Sequence, residues 1–183
     1  MNIIDHIQKY IGPIQEGWKD RDSKLNIQIV RCNDELEENL NHFLSLGLSD
    51  SILSISPRKK VRQEFLFSVR SFDNDSLIFY FLMLVCEAVV ARKKAVLRGE
   101  YIRLPAEVAM DMGFDALYCS IPMLQEDGFS SFDKVDPPVI MVWLIPIYKS
   151  EAEFVDLNGW GMFEDVLQEN QSDLFSISRS KLF

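Results

Sequence analysis

The apolar run at residues 139–145 constrains the fold of this chain more than any other segment. Its seven residues, VIMVWLI, follow Pro137 and Pro138 and carry no charge. A short uninterrupted apolar run is typical of a β-strand that is buried on both faces of a sheet. Pro146 comes next, and we expect the strand to end there because proline cannot donate a backbone hydrogen bond to a neighbouring strand. The sequence therefore predicts a central buried strand that turns into helix.

The patterns on either side of this strand predict the rest of the sheet and its helices. Strand patterns occur at residues 25–31, 39–48, 61–70, 96–104 and 116–123. Helices are predicted at residues 2–11 and 77–94, and loops at residues 34–38, 54–60 and 128–138. Because strands come before, between and after helices, we predict an α+β fold class. The expected architecture is a single domain over residues 1–183, with a mixed or largely antiparallel sheet packed against helices.

Two short helices are predicted after the central strand. Ser150 and Glu153 have the spacing of a capping box, which indicates the start of the first helix. Asn158–Gly159 is expected to end this helix in the left-handed region. The second helix is expected to bury one face, formed by Trp160, Phe163 and Leu167.

The formal net charge of −9 is concentrated in residues 105–175, which hold 14 acids against Lys134 and Lys149. Such a negative field repels nucleic acid and anionic lipid, and it speeds the encounter with a cationic partner. We interpret the basic triplet Arg92–Lys94 as a solvated helix end, because cations there complement the helix dipole. The charge pattern therefore favours a basic protein as the partner, with no nucleic acid and no membrane.

The beginning of the chain and its cysteines favour a cytoplasmic location. Met1–Tyr10 has no basic n-region, so we expect no signal peptide. The longest apolar stretch, residues 77–91, is shorter than the about 20 residues that a membrane span needs. Three cysteines without paired spacing indicate buried free thiols in a reducing compartment; they are Cys32, Cys86 and Cys119.

The sequence offers no convincing constellation for chemistry, so we expect no catalytic residue, cofactor or metal. His6 and His42 lie in different segments and are expected at the surface or boundary, because a metal site needs several converging ligands. Glu151 and Glu153 could form a carboxylate pair of the kind that hydrolases use. Acids in the first turn of a helix also have a structural explanation, since they complement the dipole. A hydrolase whose carboxylates meet only in the fold therefore stays an alternative.

The tryptophans at positions 143 and 160 leave two interpretations open. Trp143 lies in an apolar strand and Trp160 opens an amphipathic helix, so packing in or near the core is the first interpretation for both. The second interpretation is an anchor for a protein partner, because tryptophan is enriched at interface hot spots.

Several ordered motifs give the chain a resemblance to the suppressor-of-fused-like domain family. Residues 43–49, FLSLGLS, and residues 62–68, RQEFLFS, are similar to the first two landmarks of the family. Further similarities lie before the strand at residues 101–104, in the segment 143–147 and in the closing segment 173–179. The resemblance covers residues 25 to 180, and the residues that match family landmarks are Gly47, Glu64, Gly99, Trp143, Pro146, Glu151, Gly159 and Arg179.

The resemblance implies a non-enzymatic domain that works by holding another protein. Compact bacterial relatives are similar to immunity proteins, which neutralise a toxin secreted by neighbouring cells. The acidic second half suits a cationic toxin, because charge complementarity raises association rates. The alternative is a general adaptor with several partners. The matching residues are expected to set the fold rather than to contact the partner, and the partner-binding surface is unknown from sequence.

Overall fold

A computed structural model of the chain describes residues 2–33, 37, 39–70, 72, 74–123 and 125–183. In these residues there are five α-helices: α1 (Ile3–Tyr10), α2 (Asp75–Arg92), α3 (Ala106–Met112), α4 (Lys149–Asn158) and α5 (Trp160–Glu169). They also form nine strands: β1 (Ile14–Trp18), β2 (Gln28–Asn33), β3 (Leu40–Leu46), β4 (Leu53–Ser56), β5 (Lys59–Arg70), β6 (Tyr101–Arg103), β7 (Ala116–Ser120), β8 (Ser131–Phe132) and β9 (Val139–Ile147).

The strands form one mixed sheet in the order β1-β2-β3-β5-β9-β7-β6, with β4 paired to β5 and β8 paired to β9. The pair β5–β9 is parallel, and the other paired strands of the described sheet are antiparallel. This arrangement confirms the predicted α+β fold class with a largely antiparallel sheet. It also confirms that the apolar run forms a central strand, since β9 lies between β5 and β7.

Helices cover both faces of the sheet, and this explains why β9 is apolar along its length. Val142 and Leu144 point into the core that α2 and α3 close on one face. The intervening residues point into the core that α1, α4 and α5 close on the other face. A strand in this position needs apolar side chains on both of its faces. The residues of β9 on this second side include Met141, Trp143 and Ile145.

Pro146 lies inside β9, so the prediction that the strand ends before it is wrong. The proline is paired with Leu117 of β7, and β9 continues to Ile147. On its other side β9 is paired with β5 only as far as Leu144, opposite Phe67. The missing N–H of Pro146 therefore falls beyond the parallel pairing, where it removes no ladder hydrogen bond.

Five other segments differ from the sequence expectations, and one of them is β8, which lies in the loop expected at residues 128–138. β1 and α3 were not predicted, and the expected loop at residues 54–60 is instead a hairpin in which Ser56 pairs with Lys59. The expected strand at residues 96–104 shortens to β6. These elements have at most five buried or half-buried positions each, so their periodic signal is weak. The predicted acidic turn at residues 34–38 falls almost wholly outside the described residues.

The two helices predicted in the first half of the chain are confirmed. The Asn2 side chain accepts a hydrogen bond from the backbone N–H of Asp5 at 2.9 Å and begins α1. The Asn74 side chain accepts one from Leu77 at 3.2 Å and begins α2. Lys93 then ends α2 in the left-handed region, with φ of 52°. None of the described helices is both long and apolar enough to cross a membrane.

Candidate partner-binding site

The eight landmark residues lie in three separate clusters and one core position. Trp143 takes the core position, where it is buried and its ring centroid lies 5.8 Å from that of Phe175. The structure therefore does not bring the landmarks together into one site. The three clusters are Gly47 with Glu64, then Pro146 with Glu151 and Arg179, and finally Gly99 with Gly159.

Glu64 is a buried carboxylate that holds the connection between β3 and β4. One of its oxygens accepts hydrogen bonds from the backbone N–H groups of Gly47 and Ser49, each at 3.0 Å. The hydroxyl of Ser45 donates to the other oxygen. Burial nevertheless dominates these contacts and raises the pKa of Glu64 to about 7. The contacts of Glu64 are therefore within the fold, and its role as a fold-setting landmark stays a prediction.

The raised pKa of Glu64 predicts that the protein loses stability between pH 5 and pH 8. Its folded pKa of about 7 lies above the ordinary value of 4.5, so the folded state keeps the proton longer than the unfolded state. The stability that this proton contributes is complete below the ordinary pKa and is lost as pH rises through 7. We expect a loss of about 3 kcal/mol in the free energy of unfolding, measured by urea denaturation at the two pH values.

The matched variant for this experiment is Glu64→Gln, which keeps the shape of the side chain and cannot titrate. Its amide oxygen can accept the two backbone hydrogen bonds, and its amide nitrogen can donate to Ser45. Between pH 5 and pH 8, the free energy of unfolding should fall by about 3 kcal/mol less in the variant than in the parent protein. Equal pH dependence in the two proteins would show that Glu64 does not titrate in this range.

Glu151 and Arg179 form a buried bidentate ion pair at the start of α4. Two guanidinium nitrogens of Arg179 donate to the two carboxylate oxygens of Glu151, each at 2.6 Å. Arg179 also donates to the carbonyl of Pro146 at 3.1 Å, and Leu182 donates its N–H to Glu151 at 3.2 Å. The cluster therefore fastens the C-terminal segment to β9 and α4.

The same cluster corrects the predicted capping box and weakens the carboxylate-pair hypothesis. Glu151, and not Glu153, accepts the backbone N–H of the N-cap residue Tyr148, at 2.9 Å. Ser150 instead donates its hydroxyl to the carbonyl of Phe183. Glu153 is exposed and lies 3.9 Å from Lys149. Since Arg179 and the backbone occupy both oxygens of Glu151, the two glutamates are not arranged for acid–base chemistry.

The third cluster places the Trp160 ring directly over Gly99. Gly99 has φ of +90°, and a Cβ atom there would lie 2.4 Å from Cγ of Trp160. The guanidinium carbon of Arg98 lies 4.9 Å from the centroid of the same ring. Arg98 is itself held by Glu164, whose Oε1 also accepts the hydroxyl of Tyr118 at 2.9 Å. Trp160 is therefore held in place by packing and by this charged network.

The junction of α4 and α5 exposes three large apolar side chains close together in sequence. Leu157 is 84% exposed, Met162 is 53% exposed and Trp160 is 44% exposed. Large apolar side chains grouped on a surface mark interaction sites more often than isolated ones do. We call these three residues the apolar corner. The exposed acids of the same two helices are Glu153, Asp156 and Asp165, which we call its acidic rim; Asp156 forms a salt bridge with Arg103 at 3.8 Å, and Glu153 one with Lys149 at 3.9 Å.

A cavity of about 490 Å³ lies beside the apolar corner, at the outermost strand of the described sheet. Its lining residues include Gly159 and Trp160, then Tyr101 and Ile102 of β6, and Arg92 at the end of α2. The charged lining residues are of both signs: Glu100 and Asp156 are acidic, and Arg92 and Lys94 are basic.

Sequence reasoning identified Trp160 but not its neighbours in the apolar corner. The prediction that Trp160 belongs to the buried face of α5 is wrong in part, because Phe163 is buried and Trp160 is not. Leu157 and Met162 were missed. Leu157 precedes Asn158–Gly159 and Met162 follows it, and neither belongs to the apolar pattern of its helix. Apolar residues outside the pattern are the signal that could have found them.

Neither histidine lies at the surface, which corrects the sequence expectation. His6 is buried with Nε2 at 3.0 Å from the carbonyl of Phe129, and His42 is buried with Nδ1 at 2.8 Å from the hydroxyl of Ser68. In the parts of the chain that are described, no group of three or more histidine, cysteine or acidic side chains could hold a metal ion. The three cysteines are buried free thiols; they are Cys32, Cys86 and Cys119.

Comparisons with known proteins agree with the architecture described above. The family model "Suppressor of fused protein (SUFU)" matches residues 23–180. No curated protein sequence matches the chain. A crystal structure described as a SUFU homologue from Neisseria gonorrhoeae superposes with a TM-score of 0.78 at 16% identity, covering 99% of this chain and 94% of that one.

Two further crystal structures have the same fold. The Sufu–Fu complex matches with a TM-score of 0.71 at 13% identity, over 99% of this chain and 91% of that one. Drosophila Suppressor of Fused matches with a TM-score of 0.57 at 14% identity, over 86% of this chain and 42% of that one. At these identities the structures show the fold alone, whereas the match to the family model shows the relationship in sequence.

Proposed function

The chain belongs to the suppressor of fused family, and we propose that it is a non-enzymatic protein-binding domain. We propose further that it is an immunity protein, which sequesters a cationic toxin in the bacterial cytoplasm. One of the matching structures is itself a complex of two proteins, Sufu and Fu. Another comes from a bacterium, Neisseria gonorrhoeae. These likenesses support a protein partner and a bacterial setting.

The observation that carries the proposal is the apolar corner with its acidic rim. An aromatic anchor beside a cavity, surrounded by polar residues, is the usual composition of an interface hot spot. Trp160 has this position, because its ring lies on Gly99 and borders the cavity of about 490 Å³. Leu157 and Met162 lie on either side of Trp160 in the sequence and are also exposed. A partner would bury all three.

The charge around the corner supports a cationic partner. Glu153, Asp156 and Asp165 are exposed on α4 and α5, within the segment of residues 105–175 that holds 14 acids and two lysines. Charges on the rim of an interface change the association rate and its salt dependence more than they change the affinity. A toxin with a basic surface would therefore be captured quickly, which is what neutralisation requires.

Two other functions compete with this proposal. A general adaptor would use the same apolar corner for several unrelated partners. A hydrolase would need two carboxylates in a cavity, and Glu151 does not supply one because Arg179 and backbone N–H groups occupy its oxygens. Pull-down experiments distinguish the adaptor, which retains several partners, from the immunity protein, which retains one.

The test is to read the neighbouring genes and to co-express this chain with any secreted toxin that they encode; the absence of such a gene would itself count against the proposal. The parent protein should restore growth and co-purify with the toxin. Leu157→Ala and Trp160→Ala should each raise the dissociation constant by about 30-fold or more, the effect expected of a hot-spot residue. Isothermal titration calorimetry with the purified toxin measures it.

The matched control is Met110→Ala on α3, which removes an apolar side chain that is 78% exposed elsewhere on the surface. It should leave the dissociation constant unchanged. Because Leu157 makes few contacts within the fold, its variant separates binding from folding. Failure of the parent protein to rescue growth or to form a complex would contradict the toxin proposal. An association rate that is independent of salt would contradict the cationic partner.

A further inference from the structure

A second charged surface, of the opposite sign, lies where the hairpin of β4 and β5 meets the end of α2. The hairpin contributes three consecutive cations, and the helix end contributes three more. All six are exposed, although the protein as a whole has a net charge of −9. We call this exposed end of the hairpin and of the helix the basic face, with Lys59 on the opposite side of β5 from Lys60; its residues are Arg58, Lys59, Lys60, Arg92, Lys93 and Lys94.

The fold brings these two sequence segments together through Ser54 of β4. Ser54 pairs with Lys60 in the antiparallel hairpin and with Lys94 in a parallel bridge on its other side. The Ser54 N–H donates to the carbonyl of Lys93, and the Ala95 N–H donates to the carbonyl of Ser54, both at 3.0 Å. Laterally paired residues lie on the same face of a sheet, so Lys60 and Lys94 are separated by two strand spacings, about 10 Å.

Most of the positive charge on the basic face is not neutralised within the chain. Among the described residues, Lys94 forms a salt bridge with Glu100 at 3.4 Å, and the structure shows none for the other five cations. The helix dipole accounts for the cations at the end of α2. It does not account for Arg58–Lys60, which follows no helix. Like charges at this separation repel, so the hairpin cations indicate a function other than stability.

We propose that the basic face binds an acidic peptide segment that also carries apolar residues. Arg92 and Lys94 of the face also line the cavity of about 490 Å³, whose apolar lining includes Ile102 and Val155. A carboxylate-rich segment could pair with the hairpin cations and place an apolar side chain in this cavity. The inference does not rest on the proposed function, because the hairpin cations belong neither to the apolar corner nor to the lining of this cavity, although Trp160 lines the same cavity.

A protein segment fits the basic face better than a nucleic acid does. The hairpin end, residues 53–61, includes no aromatic side chain on which a base could stack. A long polyanion would also meet the acidic surface formed by residues 105–175. A short acidic segment avoids both difficulties, since it needs only the area of the face itself.

The experiment measures binding of a fluorescein-labelled glutamate-rich peptide that carries two leucines, by fluorescence anisotropy at low salt. The triple variant Arg58→Glu, Lys59→Glu and Lys60→Glu should weaken binding by about tenfold or more. The matched control is Lys9→Glu, Lys149→Glu and Lys181→Glu, which changes the net charge equally on α1, on α4 and in the C-terminal segment. It should weaken binding by about twofold at most, because distant charges are screened.

Three outcomes would overturn the proposal. The first is that the peptide does not bind to the parent protein. The second is that the two triple variants weaken binding equally, which would indicate a response to net charge alone. The third is that a single-stranded oligonucleotide of equal charge, or a vesicle containing phosphatidylserine, binds the basic face more tightly than the peptide. Because Arg58, Lys59 and Lys60 belong neither to the apolar corner nor to the lining of the cavity beside it, these outcomes do not decide whether the apolar corner binds a toxin.

Discussion

Replacing Glu151 with alanine is expected to lower the free energy of unfolding by about 3–5 kcal/mol, because it leaves the buried guanidinium of Arg179 without its counter-charge. The pair is bidentate, with both N–O distances at 2.6 Å, and both side chains are almost fully buried. The substitution also removes the acceptors for the N–H groups of Tyr148 and Leu182. Urea denaturation at neutral pH measures the loss.

The matched control for this experiment is Glu153→Ala, on the same helix. Glu153 is exposed and its nitrogen–oxygen distance to Lys149 is 3.9 Å, so its removal should cost less than about 0.5 kcal/mol. A loss of the same small size for Glu151→Ala would contradict a structural role for the pair. In the double variant without Glu151 and Arg179, the losses should not add, since the second substitution removes the unpaired charge.

Replacing Gly47 with alanine is expected to lower the free energy of unfolding by about 2–5 kcal/mol, through backbone strain combined with a steric clash. Gly47 has φ of +99°, and a Cβ atom there would lie 2.2 Å from the backbone carbonyl oxygen of Asn26. A backbone atom cannot rotate away as the end of a side chain can. Any shift would also lengthen the hydrogen bond from Gly47 to Glu64.

Gly113→Ala is the control, because it has the same kind of backbone conformation without the clash. Gly113 has φ of +78°, and no heavy atom lies within 4 Å of the position of a Cβ. Only the conformational cost remains, which is about 1 kcal/mol. The difference between the two variants in thermal or urea denaturation isolates the contact with Asn26. Equal losses would show that the clash is relieved by movement of the chain.

Long elements with strong patterns could be predicted from the sequence, and short edge elements could not. β9 and α2 are apolar over many consecutive residues because each is buried on most sides, so the pattern reports the burial directly. β1 shows the opposite case. It lies at the edge of the sheet, its three central residues are exposed, and it carries almost no alternation. Its position depends on pairing with β2, which a local pattern does not record.

The candidate sites show the same limit. The sequence and the resemblance identified Glu64, Glu151 and Arg179, and the structure explains each by hydrogen bonds within the fold. The exposure of Leu157 could not be predicted, because it depends on how α4 and α5 meet. The pairing of Ser54 with both Lys60 and Lys94 is a tertiary contact between segments that are far apart in sequence. Interfaces are assembled by such contacts, so sequence alone left the partner-binding surface unknown.

The ion pair between Glu151, at the start of α4, and Arg179, in the C-terminal segment, has a consequence for synthesis on the ribosome. Glu151 is translated 28 positions before Arg179, its only charged partner in the described cluster. Until that arginine emerges, the carboxylate has no counter-ion and favours water over the interior. The nascent domain should therefore keep this corner open, and accessible to chaperones and proteases, until translation has passed residue 179.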